Sequence, residues 1–309
     1  MKIHSALIAS FLLWALPAGA LPDNDSNHTL TYDGQTVAGA EEVIAGHGQQ
    51  TADGNTVIIT NSTIQNNNSP LHNSQVVGGW AVYASANQNR IEITDSTVNR
   101  NIIAGQATYG TQANQNIVQI TQSKVNEGAA LQEMTTLSSY QAEHRYDDQG
   151  NDTYVLSSMA SDTVKTAGDL TPESSFYTTY GGMVANGEAA GNQIIVSGNN
   201  SVIGNNLMAA YSPYLEATHL HDNSITVTDA QVTGLLVGAG SLGANWNPSI
   251  KDPLTVDNNS ITVSASQIND AIGAYGGLTT NGNRITLVNS SADNLYGVSF
   301  GQDIFYSGS

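Results

Sequence analysis

The chain has 309 residues, 26 acidic against 8 basic, for a net charge of −18, and it contains no cysteine. That balance makes nucleic acid and anionic membrane surfaces poor partners, and the lack of thiols excludes disulfide stapling, thiolate metal sites and thiol catalysis. Only 11% of the residues are charged, so surface polarity falls to Asn, Gln, Ser and Thr, which can stack into hydrogen-bonded ladders from coil to coil.

Residues 1–20 read as a secretory signal peptide. Lys2 gives the positive start, Ala6 to Leu16 an apolar run, and Ala18-Gly19-Ala20 a small-residue cleavage site. An uncleaved anchor or a buried helix is the alternative. No later stretch approaches the length of a membrane span. Residues 21–50 carry no clear repeat and are expected to cap the N-terminal end of a repeat array.

From Asn55 a ten-residue design sets in and returns at Asn89, Asn116, Asn192, Asn223, Asn259 and Asn283, with a weak copy at Asn151. Counting from the Asn, places three and five are Val57/Ile59, Ile91/Ile93, Val118/Ile120, Ile194/Val196, Ile225/Val227, Ile261/Val263 and Ile285/Leu287, all β-branched except Leu287. Positions two apart share one side of a strand, so these pairs are expected to enter a common core while Thr56, Arg90, Glu92 and Thr226 face solvent. The apolar tenth place (Ile64, Val98, Val125, Val232, Ile268) has the wrong parity for an unbroken strand. The chain must therefore bend, and the Thr-x-Ser segment at places six to eight is the expected corner. In the Asn192 copy the apolar residue comes late, at Val202, which a one-residue bulge would accommodate.

Gly78, Gly105 and Gly181 each stand 11 residues before the next repeat Asn, which suggests a further strand in each period with glycine where backbones pack closely. Repeats at such intervals predict an all-β fold, a parallel β-helix solenoid of about 8 coils over 51–292, forming a rod about 35–40 Å long. The pattern lapses over 126–188. One or two degenerate coils with a solvated loop is the plainer reading of that excursion, and a specific surface is the other. A tail, 293–309, ends the chain.

Candidate chemistry is sparse. His219 and His221, with Glu216 and Asp222 beside them, are weak metal candidates, because alternate strand positions put both imidazoles on one side; exposed histidines beside an Asp are the plainer reading. Asp147-Asp148-Gln149-Gly150-Asn151-Asp152 has oxygen ligands but matches no calcium-loop pattern. Glu92, Asp95, Asp229 and Asp270 are scattered through the copies, where a polysaccharide lyase or hydrolase would need carboxylates clustered on one face. Tyr83, Tyr109, Tyr177 and Tyr180 are the candidate binding residues, since aromatics exposed in a polar field can stack on sugars or partner side chains. Buried coil corners are the competing reading for them. No cofactor is implied.

The copies Asn55–Ile64, Asn89–Val98 and Asn259–Ile268, with Gly78-Gly79 and Gly276-Gly277 between them, resemble the repeats of bacterial surface adhesins, and above all the passenger regions of autotransporters and related type V secreted proteins. The resemblance covers roughly residues 50–292. It implies a right-handed parallel β-helix, extracellular or held at the outer membrane of a Gram-negative cell and acting in adhesion or aggregation. Its partners would be a glycan or protein on a host or neighbouring cell, or further copies of itself. Such proteins carry a C-terminal membrane β-barrel, for which the residues after Ala292 leave no room, so a partial passenger without its barrel, or a protein secreted by another route, is expected. No catalytic residues transfer from a scaffold repeat. A polysaccharide lyase or hydrolase on the same scaffold is the alternative function, and a self-associating structural rod the second.

Overall fold

The computed structural model describes residues 21–39, 41–66, 75–146, 152–167, 177–213, 218–241, 254–276 and 279–299. Residues 1–20, the Asp147–Asn151 part of the oxygen cluster, Glu216 and the last ten residues lie outside them, and side chains are not described for 135–146, 152–161, 279 and 299. Every strand pairing is parallel except one hairpin, and the described residues contain no helix. The architecture is that of a parallel β-solenoid.

Its first face is an eight-stranded sheet formed by Thr29–Asp33, Thr56–Thr60, Arg90–Thr94, Ile117–Thr121, Gln193–Ser197, Ser224–Thr228, Ser260–Ser264 and Arg284–Val288. Places three and five align residue for residue down this sheet. From Val57/Ile59 to Ile261/Val263 they are wholly buried, as their period of two requires. The first strand belongs to residues 28–37, a copy disguised by His28 in the Asn place, Tyr32 in the fifth and Gln35 in the Ser place. A second face of seven two-residue strands carries the tenth place inward.

The corner between these faces is a single left-handed residue at place seven. Gly34, Asn61, Asp95, Gln122, Gly198, Asp229, Ala265 and Asn289 all have positive φ there, as does the residue just before each repeat Asn. Two such bends frame every copy. The Asn192 copy does not contain a one-residue bulge. Ser201 occupies the eighth place and Ile203 the tenth, opposite Val125, while Val202 faces half outward. Two residues have been added to the corner, and an even insertion keeps the inward and outward sides in phase.

The buried Asn explains the first letter of the repeat. At this bend the backbone N–H leaves the strand ladder, and a buried donor must find a partner. The Asn of the next coil supplies it. Asn55, Asn89, Asn116, Asn192, Asn223 and Asn259 donate their backbone N–H groups to the Oδ1 of the following Asn at 2.9–3.0 Å. Five of these side chains, from Asn89 on, also donate Nδ2 to the same oxygen at 2.9–3.1 Å. A parallel Ser ladder at place eight runs through Ser62, Ser96, Ser123 and Ser201, with each backbone N–H bonded to the next Oγ at 3.0–3.3 Å. Ala230 interrupts it.

The third face comprises Val43–Gly48, Gln75–Ala81, Asn101–Ala107, Thr178–Val184, Asn206–Tyr211, Leu236–Gly240, Asp270–Tyr275 and Asn294–Ser299. Register aligns Gly79 with Gly105 and Gly182, so the equivalent glycines precede their Asn by variable intervals and the fixed interval of 11 joins unlike positions. A Cβ on Gly79 or Gly105 would run into the side chain of Asn89 or Asn116. This face is apolar on both sides. Val76, Ile102, Leu207 and Leu236 point into the main core, whereas Ile103, Tyr180, Met208, Val237 and Ile272 point outward into a separate cluster.

The excursion covers that outer cluster. It is neither a degenerate coil nor a weak copy at Asn151, because the first-face ladder passes directly from Ile117–Thr121 to Gln193–Ser197. Instead Leu131–Tyr146 pairs antiparallel with Asp152–Ala167, and Met134 and Val164 pack on the outer side of the third face. Asn206 holds the hairpin base, accepting the Ala167 N–H at 2.8 Å and donating to its carbonyl at 3.1 Å. Further along, the buried Asp270 accepts the Lys165 N–H, and the Lys165 ammonium meets Asp293 at 2.8 Å. A fourth face contains Gly187–Ala190, Thr218–His221, Thr255–Asp257 and Thr279–Asn281. Isolated bridges through Asn24, Thr51, Ser85 and Gln112 continue it towards the N-terminus. No helix among the described residues is long and apolar enough to cross a membrane.

Candidate functional site

Two side-chain groups stand out from this framework, one aromatic and one ionic. The aromatic group lies where the third face turns towards the fourth. Backbone bonds from Tyr83 to the Gln49 carbonyl, from Tyr109 to the Val82 carbonyl and from Ala185 to the Ala107 carbonyl fix the coil-to-coil register at this turn. Parallel pairing then places Gln50, Tyr83, Tyr109 and Asn186 in one column. All four are exposed. The two phenol rings lie near parallel, with centroids 6.2 Å apart and 23° between their planes, and they remain 51% and 39% exposed.

Trp80 buttresses this column. Its indole stacks on His47 at 4.4 Å and donates Nε1–H to the Thr108 hydroxyl at 2.8 Å. Thr108 immediately precedes Tyr109, so the strand delivering the second ring is pinned by a half-buried aromatic. Burial holds the His47 pKa below its ordinary value, against the opposing pull of Glu42 and Asp25.

Of the four tyrosines singled out from sequence, only Tyr83 and Tyr109 come together at the surface. Tyr180 lies in the outer third-face cluster, 7% exposed and 5.3 Å from the Tyr211 ring. It cannot present a face to a ligand, because the doubly buried third face turns its outer row towards Met134 and Val164. Burial pushes its hydroxyl up to about 12, moderated by a bond with Thr178. Tyr177 is half-buried ahead of the same strand, and its carbonyl accepts the Asn206 N–H at 2.7 Å.

The ionic group lies on the fourth face. His221 sits between Glu188 at 2.9 Å and Asp222 at 2.7 Å, one carboxylate on each ring nitrogen. Both nitrogens must carry hydrogen to satisfy that geometry. Burial alone would lower its pKa, but the bonds to Asp222 and Glu188 outweigh burial and raise it. Glu188 is lowered in turn, chiefly by its bond from His221 and then by Asn114. The His219 ring lies 4.1 Å from that of His221, tilted by 31°, and reaches Asp257 at 3.3 Å. The alternate positions do bring both imidazoles together, yet no set of three or more His, Asp and Glu side chains among the described residues is arranged to hold a metal ion.

The scattered carboxylates have local duties. Glu92 pairs with Arg90 on the first face, Asp95 and Asp229 are left-handed corner residues, and Asp270 anchors the hairpin. Glu188, Asp222 and Asp257 do converge. Sequence reasoning missed Glu188 and Asp257 because they belong to other coils than His221, and only the register Ala190–His221–Asp257 brings them alongside.

The fold class is thus a parallel β-solenoid bearing an exposed tyrosine column. No family model, curated protein or solved structure matches the chain.

Proposed function

We propose that this chain is an exported protein of a bacterial surface or exterior, a right-handed β-solenoid of about eight coils that resembles an autotransporter passenger and acts in adhesion or aggregation. The observation that carries the reading is the Tyr83–Tyr109 pair. Two large, rigid rings are held open to solvent on an otherwise amide-rich surface, where burying them would be favourable. The ladders make the remainder a stiff rod, suited to presenting such a column away from a surface. The test is adherence of the purified full chain to bacterial and epithelial cells. Wild type should bind, and Tyr83→Ala/Tyr109→Ala should lose roughly tenfold in affinity. Equal binding by the two proteins, or none by wild type, defeats the reading.

One observation favours a second reading, a polysaccharide hydrolase or lyase. Glu188, His219, His221, Asp222 and Asp257 gather from neighbouring coils, and a His221 raised beside a lowered Glu188 is the kind of pair that accompanies acid–base chemistry. Release of reducing or unsaturated ends from acidic and neutral glycans, abolished by His219→Ala, would establish it.

A further inference from the structure

We infer that the column Gln50–Tyr83–Tyr109–Asn186 binds a neutral glycan chain laid along the solenoid axis. The inference rests on the adhesion reading and names the ligand class of its surface. Four observations support it.

The column's chemistry is uncharged and mixed. Register places one amide side chain on either side of the two phenols, and all four residues are exposed. An amide offers both donors and an acceptor, as a sugar hydroxyl does, while a ring offers an apolar face for the C–H side of a pyranose. The flanking positions are also permissive. Beyond Tyr109 come Asn186 and Gly187, preceded by the buried Ala185, so among the described residues no ring closes over that end.

The shape is a strip. Four positions on successive coils span three coil spacings, about 14 Å, with one side chain across. A protein partner of ordinary affinity needs a broader patch, about 800 Å² on each side around a central anchor, whereas a linear polymer needs only a track. Charge points the same way, because a net charge of −18 opposes polyanions such as uronate polymers.

The column is also organised in advance. The Trp80 indole fixes Thr108, and Thr108 additionally accepts from Gln106 Nε2 at 3.4 Å. The Gln106 side chain is 7% exposed and its Oε1 is buried without a protein partner. Rings carried on a turn that is hydrogen-bonded from coil to coil lose little freedom on binding.

Calorimetry with the full chain tests this, using cellohexaose, mannohexaose and galactohexaose as neutral probes, polygalacturonate as an acidic probe and gelatin as a protein probe. At least one neutral hexasaccharide should bind with an affinity unchanged between low and high salt. Tyr83→Ala should weaken it about tenfold and Gln50→Ala or Asn186→Ala several-fold, while Tyr83→Phe retains most of it. Tyrosine-dependent binding of polygalacturonate or gelatin alone overturns the inference and leaves the adhesion reading standing. Tyrosine-dependent binding to cells with no neutral probe bound overturns it equally. Loss of cell binding altogether removes the adhesion reading and this inference with it.

Discussion

The wound ladder and the hairpin at 131–167 both bury polar groups, but by opposite means. In the ladder each buried donor meets a copy of itself one coil on, so Asn55 to Asn283 form a single hydrogen-bonded column. The anchors seen among the described residues of the hairpin are each made once: Asn206 at the base, Asp270 and Asp293 beyond it, and the Met134 contact with the Tyr275 hydroxyl at 3.8 Å. A repeated contact makes the rod uniform and hard to open at any one point. A set of single contacts makes a cover that can be released without unwinding the coils beneath.

Asn116→Ala puts this contrast under the greatest load. It leaves the buried N–H and Nδ2 of Asn89 unpartnered, at a cost of roughly 3 kcal/mol in global stability by urea titration. Asn283→Ala, at the half-buried end of the ladder, should cost well under half as much; equal losses would show that the column is not cooperative. Next in size is Asp270→Ala, which strands the Lys165 N–H and the Asn294 amide. A loss of about 2 kcal/mol is expected, and hydrogen exchange should quicken at 131–134 and 162–167 while Ile117–Thr121 keeps its protection. Exchange rising in both regions would mean that hairpin and ladder unfold together.

A smaller effect, about 1 kcal/mol at most for partly exposed pairs, concerns pH on the fourth face. The raised His221 contributes stability that is complete below its unfolded value near 6.5 and disappears as pH rises through its higher folded value. The lowered Glu188 contributes above its unfolded value near 4.5 and loses this as pH falls through its folded value. With Glu188, Asp222, Asp257 and His219 surrounding the ring, the deficit of His221→Gln in thermal melts should peak between these limits and vanish at alkaline pH. A deficit independent of pH would mean that His221 acts by packing alone. The smallest effect is Ala265→Gly. Ala265 holds the left-handed corner at φ 47° without a side chain that compensates, so glycine should gain under 1 kcal/mol in chemical denaturation after its unfolded-state entropy is counted.

Much of the rod was legible because it is written in periods. The pairs Ile91/Ile93 and Ile225/Val227 announce a buried strand side by their spacing, and the parity conflict at Val98 demands a corner before any contact is known. The copy at His28 was hidden because three of its marker places are substituted, although its Leu30 and Tyr32 still face the core. Of the candidate site, exposure of Tyr83 and Tyr109 was foreseeable as one of two readings. Their company was not, since a column is assembled across coils from residues 26 or more positions apart.

Taken alone, the order of amino acids dictates the unit: which side of each strand is apolar and that the chain bends between the fifth and tenth places. The rest belongs to the tertiary structure. Whether Tyr180 meets solvent or the hairpin depends on a fold-back that leaves no period in the sequence, and whether His221 meets Glu188 depends on register set by loops of unequal length. Local spacing governs what one strand can bury; contacts between coils depend on how much chain lies between them, and that amount varies at every turn.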